Sequence, residues 1–220
     1  MPRLSLIAID GPSGVGKSTT AKRVAQQLGW NYLDTGAMYR ATTLAIHRAG
    51  VELADRPALE RVLAGLRIQQ RGSREFLGEE DVSDAIRTPA VTRLVTPVSA
   101  DARVREVLVE QQRNIGGEGG WVVDGRDIGT VVFPQACCKI FLTASVAARA
   151  QRRFLELEAK RVPQTLAEVA ADIQRRDLAD TSRAVAPLCQ AADAVVLDSS
   201  GIALDEVVAW IVAHHRGHVG

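Results

Sequence analysis

Two short stretches near the N-terminus carry residues that can do chemistry. Gly11, Pro12, Ser13, Gly14, Val15, Gly16, Lys17, Ser18 and Thr19 satisfy the pattern GxxxxGK[ST]. The glycines let a loop curl so that successive backbone amides point inward at phosphate oxygens. Lys17 can reach the terminal phosphates of a nucleoside triphosphate, and the Ser18 hydroxyl can coordinate Mg2+. The second stretch, LDTGAMYR from Leu33 to Arg40, brings together an acid, a hydroxyl, a tyrosine and an arginine. An anion with hydroxyl partners suits that set. If the first stretch holds a phosphoryl donor, the second is a candidate receiver.

Such residues need elements to hold them. The apolar run Leu4 to Ile9, broken by Asp10, reads as a buried strand. After the loop, Ala21, Val24, Ala25 and Leu28 recur at helical spacing, and Gly29 ends the helix. The motif thus stands between strand and helix, as phosphate binding requires. WNYLD reads as a second strand with Asp34 at its C-terminal end, where ligands bind in open α/β sheets, and a helix is expected from Thr35 to about Gly50.

The middle changes character. DRPALERVLAGL reads as a short helix with Asp55 as N-cap. Short polar strands follow, with a turn at Gly72-Ser73; they lack continuous apolar runs and read as a half-exposed small lobe. Helix then returns, interrupted near Pro97 and closed by GGEGG. WVVD is a strand whose last residue, Asp124, is a candidate to position Mg2+ waters. CCKIFLTA is another buried strand, followed by helices on both sides of a loop around Pro163. DAVVLDSS is the last strand, and a closing helix carries Leu204, Val207, Val208, Ile211 and Val212 on one face. Strands alternating with helices imply a parallel sheet covered on both sides, hence an α/β fold.

Composition narrows the function classes. The 220 residues are 46% hydrophobic and 24% charged, ordinary for a globular chain. Lys+Arg 27 against Asp+Glu 26 leaves a formal net charge of +1, so no global field attracts nucleic acid or an anionic membrane. Cys137, Cys138 and Cys189 match neither a disulfide framework nor a zinc site. They read as reduced thiols, and with no apolar run long enough for a signal or a span, a soluble cytoplasmic protein is expected. The phosphate loop alone leaves the acceptor open among water, a metabolite and a conformational switch. No guanine-reading NKxD motif is present, and the length, with a lobe inserted early, favours a small-molecule kinase.

IAIDGPSGVGKST, YLDTGAMYR, VVDGRDIGTVVFPQA, KIFLTAS and SRAVAPLCQAAD occur in this order. Together they resemble the bacterial cytidylate kinases, a family of P-loop nucleoside monophosphate kinases, over almost the whole chain. The resemblance implies a five-stranded parallel sheet flanked by helices, an inserted monophosphate-binding lobe with a small antiparallel sheet, and a short lid. The core would span about 1–34 and 119–220, the lobe about 35–118 and the lid about 153–166. It implies transfer of the γ-phosphoryl of ATP, with Mg2+, to CMP or dCMP by a monomer that needs no nucleic acid or membrane. A kinase for another nucleoside monophosphate, or a nucleotide switch, is the alternative.

By the same resemblance, Thr96, Arg105 and Asp127 read the base. Cytosine offers an amino donor and two acceptors, which a carboxylate or hydroxyl beside an arginine would match, whereas the uracil carbonyl would meet the carboxylate and be repelled. Arg40 and Arg126 match the phosphate ligands, Arg183 is a further anion contact, and Thr35 and Tyr39 would line the pocket. Arg176, Asp180 and Arg183 share a helical face if that helix persists, and the resemblance puts the first two on the ribose hydroxyls. From spacing alone the same three make an exposed ion-pair ladder. Lys17, Arg126 and Arg153 are the catalytic candidates; which of Arg149, Arg152, Arg153 and Arg161 acts on the moving phosphoryl group stays open.

Overall fold

A computed structural model describes residues 4–159 and 161–219. The chain divides into two compact units, a core of residues 1–32 and 116–220 and a lobe of 33–115. In chain order the first elements are β1 (Leu4–Asp10), α1 (Lys17–Leu28), β2 (Asn31–Asp34), α2 (Thr35–Arg48) and α3 (Arg56–Ala64). The lobe continues with β3 (Ile68–Arg71), β4 (Arg74–Leu77), β5 (Glu80–Asp81), α4 (Pro89–Ala100) and α5 (Ala102–Gly116). The core resumes with β6 (Trp121–Gly125), β7 (Ala136–Thr143), α6 (Val146–Ala159), α7 (Leu166–Ser182), β8 (Val195–Asp198) and α8 (Leu204–Val219).

The five-stranded sheet has the order β2-β6-β1-β7-β8. β1 pairs in parallel with β6 and β7, and β7 with β8. β1 is central, which is why its run of Leu6 to Ile9 is fully buried. Ile7 and Ile9 join Val122, Ile140 and Leu142 from neighbouring strands, with Ala21 and Val24 of α1 and Val208 and Ile211 of α8. Burying each such large aliphatic side chain contributes about 1.5–3 kcal/mol. Cys138 belongs to this cluster, and burial pushes its thiol up to about 12; no disulfide joins the three cysteines among the described residues.

Local chemistry sets the helix ends. Gly29 adopts the left-handed conformation after α1, with φ 66°, and its N–H bonds back to the Ala25 and Gln26 carbonyls. Asp34 and Asp55 cap α2 and α3 by accepting from the amides of Ala37 and Ala58. Thr165 and Glu168 form a reciprocal capping box on α7.

The lobe holds an antiparallel sheet in the order β3-β4-β5. Its apolar cluster joins Ala37, Ala41 and Leu44 of α2 to Val82, Ile86 and Val91, with Ile68 and Leu77 packed against it. Two expectations change here. The helical run after residue 88 passes through Pro97 and breaks at Asp101, whose φ of −69° and ψ of 125° are extended. Asp101 accepts from the amides of Arg103 and Val104, so its side chain starts α5 where a proline ring was expected to end α4. The polar strands, expected to be half-exposed, bury a carboxyl: Glu75 of β4 is 3% exposed.

Candidate active site

The phosphate loop joins the C-terminal end of β1 to the N-terminus of α1. Gly11 is required by packing, because a Cβ there would stand 2.0 Å from the Leu142 carbonyl oxygen of β7. Gly16 is the N-cap of α1 with φ 97°, makes no side-chain cap, and no acidic residue occupies the first helical turn. The amides of that turn therefore face the loop without a protein carboxylate to satisfy them, the arrangement that binds anions. Lys17 is buried, and its Nζ donates to the carbonyls of Gly11 and Pro12, both at 2.8 Å. Burial, and then the positive charge of Arg126, holds its pKa well below the ordinary lysine value. A phosphate would supply the negative charge this ammonium lacks.

The outer side of the loop is clamped. Arg149, buried on α6, donates to the Ser13 carbonyl at 2.9 Å, to Asp177 at 2.6 Å and to the Ala144 carbonyl at 2.9 Å. Asp177 of α7 in turn accepts from the Ser13 amide at 3.2 Å. Arg152 donates to the Val15 carbonyl and to Ser199. These two arginines hold the loop's backbone, whereas Arg153 is exposed and pairs with Glu156 at 2.9 Å. Arg153 still lies close enough for its charge to disfavour that of Arg176, whose pKa burial lowers first and Arg126 second. Arg161 is exposed.

At the end of β6, Asp124 is buried and accepts from the Ser18 hydroxyl at 3.0 Å and the Tyr32 hydroxyl at 2.7 Å. This hydroxyl and carboxylate are hard oxygen donors and fit Mg2+, which takes its remaining ligands from water and phosphates. Arg126 donates to Asp180 of α7 at 2.7 Å. Burial opposes the charge of Arg126, but Asp180 and Asp124 raise its pKa on balance. Asp127 and Arg183 meet at 3.3 Å with both side chains buried. α7 ends at Ser182 and Arg183 is extended, with ψ 141°, so the helical face carries Arg176 and Asp180 but not Arg183.

In the lobe, Thr35 and Tyr39 are buried on α2. Arg40 donates to the Ile86 carbonyl at 3.2 Å and the Thr92 hydroxyl at 3.0 Å. Arg105 of α5 is buried, with its guanidinium 5.7 Å from the centre of the Tyr39 ring. Thr96 is half-buried on α4. Asp34 caps α2, so its carboxylate already has a structural partner in the Ala37 amide at 2.9 Å. Thr96 and Arg105 thus belong to the lobe, and Asp127 to the core.

The family model for cytidylate kinase matches residues 7–216. The chain belongs to the cytidylate kinase family. It is 48% identical over 212 residues to a cytidylate kinase of Syntrophotalea carbinolica, covering 94% of this chain and 90% of that one. A bifunctional pantoate ligase/cytidylate kinase of Synechococcus elongatus is also 48% identical, over 97% of this chain. This chain spans only 42% of that bifunctional relative. Among solved structures, a shikimate kinase of Bacteroides thetaiotaomicron aligns with a TM-score of 0.50 at 14% identity, over 97% of this chain and 99% of that one. That likeness concerns the fold alone.

Family membership does not pick out three residues that the geometry brings to this site. Asp177 looks like one more acid in an exposed helical ladder, yet it ties the phosphate loop to α7. Tyr32 lies in a strand and carries no motif, yet it holds Asp124. Asp10 has a visible signal, an acid ending an otherwise apolar strand, and its carboxylate accepts from two backbone amides of the segment after β6.

Proposed function

We propose that this chain transfers the γ-phosphoryl group of ATP to CMP or dCMP, giving ADP and CDP or dCDP. The observation that carries the reading is the buried Lys17 ammonium, held by the Gly11 and Pro12 carbonyls at the floor of an uncapped helix N-terminus. Family membership supports the acceptor. The acceptor's phosphate oxygen attacks the γ-phosphorus, the bond to the bridging oxygen breaks, and ADP leaves. A phosphate oxygen is already a nucleophile, so no general base is needed.

The protein's work is alignment and charge neutralisation. Loop amides and Lys17 bind the donor phosphates. Arg126 and Arg153 offset charge on the transferred group, with Asp180 fixing Arg126. Ser18 and Asp124 would hold Mg2+, which neutralises phosphate charge when bound. Arg40 and Arg183 take the acceptor's phosphate, Arg176 and Asp180 its ribose, and Thr96, Arg105 and Asp127 its cytosine, with Thr35 and Tyr39 beside them. No described helix is long and apolar enough to cross a membrane, and we assign the activity to the cytoplasm.

The test is ADP release from ATP with CMP, dCMP, UMP, AMP or shikimate as acceptor. CMP and dCMP should stimulate release strongly and UMP weakly. Slow hydrolysis that no acceptor stimulates would instead mark a nucleotide switch.

A further inference from the structure

We propose that Tyr32 is a positioning residue for the divalent cation of the transfer, fixing the plane of the Asp124 carboxylate that would receive the cation's water; this rests on the Mg2+ reading of Ser18 and Asp124 above. Asp124 lies on β6, is 4% exposed, and its backbone is in register with Ile9 of β1. Its side chain is held from two directions. The Tyr32 hydroxyl donates to Oδ1 at 2.7 Å, and the Ser18 hydroxyl donates to Oδ2 at 3.0 Å. One donor comes from β2 and the other from the first turn of α1.

A carboxylate on a single-bonded side chain can turn about its own axis. Donors on both oxygens stop that rotation, whatever else the group meets, and so fix the direction in which it accepts. Ser18 is set by the same contact. Its hydrogen is directed at Asp124, which turns the lone pairs of Oγ toward other partners, the orientation a hard cation requires. The phenol holds the far side of the carboxylate. Without it, Ser18 would grip Asp124 by one oxygen, and the pair could swing together.

Tyr32 is itself fixed. Its ring packs against the core cluster below the sheet's edge, beside Leu28 and Trp30. The Lys22 ammonium stands 5.5 Å from the ring centre. A cation there draws electron density out of the ring and makes the phenol O–H a stronger donor. Lys22 follows Ser18 by one helical turn, so α1 presents on one face both the hydroxyl that would meet the cation and the ammonium that steadies the phenol. A bond that only tied β2 to β6 would be redundant, because the two strands are already hydrogen-bonded neighbours in the sheet.

Tyr32→Phe tests the proposal, because it removes the hydroxyl and keeps the packed ring. Affinity for the non-hydrolysable β,γ-imido analogue of ATP is measured by titration calorimetry, once with excess Mg2+ and once with EDTA. The ratio of the two affinities is the advantage that Mg2+ confers. It should fall about tenfold or more in the variant, the usual loss when a group behind a metal ligand is removed. The affinity in EDTA should change by less than about threefold. An unchanged ratio would overturn the proposal. So would equal losses with Mg2+ and with EDTA, the mark of a bond that merely supports the phosphate loop.

Ca2+ in place of Mg2+ separates positioning from a general loss of affinity. Mg2+ demands near-octahedral ligands, whereas Ca2+ accepts irregular ones. The advantage conferred by Ca2+ should therefore change by less than about threefold in Tyr32→Phe. A fall as large as that for Mg2+ would overturn the proposal. A wild-type protein that gains nothing from Mg2+ would overturn the Mg2+ reading itself, and the proposal with it. A wild-type advantage that Tyr32→Phe retains in full would overturn the proposal alone.

Discussion

The core and the lobe each bury a carboxyl, and they treat it in opposite ways. Asp10 in the core meets two amides at 2.8 and 2.7 Å. Glu75 in the lobe has neither oxygen hydrogen-bonded among the described residues, and burial, with Asp34 second, pushes its pKa up to about 8. The same contrast runs through the basic residues. Arg149 of the core is fully engaged with the phosphate loop, while Arg48 and Arg71 of the lobe pair with acids in the open. Buried charge in the core is wired into the backbone that binds phosphate. In the lobe, a buried acid is tolerated by staying protonated at neutral pH.

The contrast can be broken or sharpened by substitution. Removing the core's buried ammonium, Lys17→Ala, should lower kcat by about a hundredfold to a thousandfold with folding intact, read by ADP release. Full turnover would end the claim that the core's wiring serves phosphoryl transfer. Arg149→Ala leaves Asp177 without its charged partner and should cost about 3 kcal/mol of stability by urea unfolding. A loss below about 1 kcal/mol would place the clamp with ordinary surface pairs.

Glu75→Gln probes the lobe through pH. The folded-state pKa of Glu75 is raised above its unfolded value, so its stabilising contribution is fully present below about 4.5 and is lost as pH rises through about 8. The wild type should therefore match Glu75→Gln near the acid end of that window. It should fall about 2 kcal/mol or more below the variant at the alkaline end, measured by chemical denaturation. Parallel pH curves would show that Glu75 is not held protonated, with Asp34 and Arg87 the charged neighbours to re-examine. Arg48→Ala, which breaks an exposed pair with Glu80, should change stability by less than about 1 kcal/mol.

Much of the architecture was legible from periodicity. The buried strands, the phosphate loop, the cap at Asp55 and the polar hairpin at Gly72 are local patterns, and local patterns survive folding. What sequence could not separate were groups with equal local standing. Arg149, Arg152 and Arg153 sit within a little more than one turn of α6. Only the tertiary surroundings bury the first, half-bury the second and expose the third. Alternation in β4 would bury Phe76, yet Glu75 is the buried residue, and Phe76 lies under the Arg71 guanidinium at 4.6 Å. Pro97 looked like a stop because its ring removes one helical bond, but the helix absorbs that loss. Asp101 breaks the run by offering its carboxylate to the next two free amides. At the site, Lys17, Ser18 and Asp124 were marked by motif or strand end. Asp177 and Tyr32 had no mark, because their partners are distant in the chain.

Gly11 has a kinetic consequence. With the Leu142 carbonyl 2.0 Å from where a Cβ would be, the start of the phosphate loop is pinned to the sheet, and Arg149 and Asp177 hold its next turn. A cradle fixed before its ligand arrives has no internal search to complete. Nucleotide capture should then proceed in a single exponential phase whose rate climbs linearly with nucleotide concentration, without the plateau of a step that must wait for the loop.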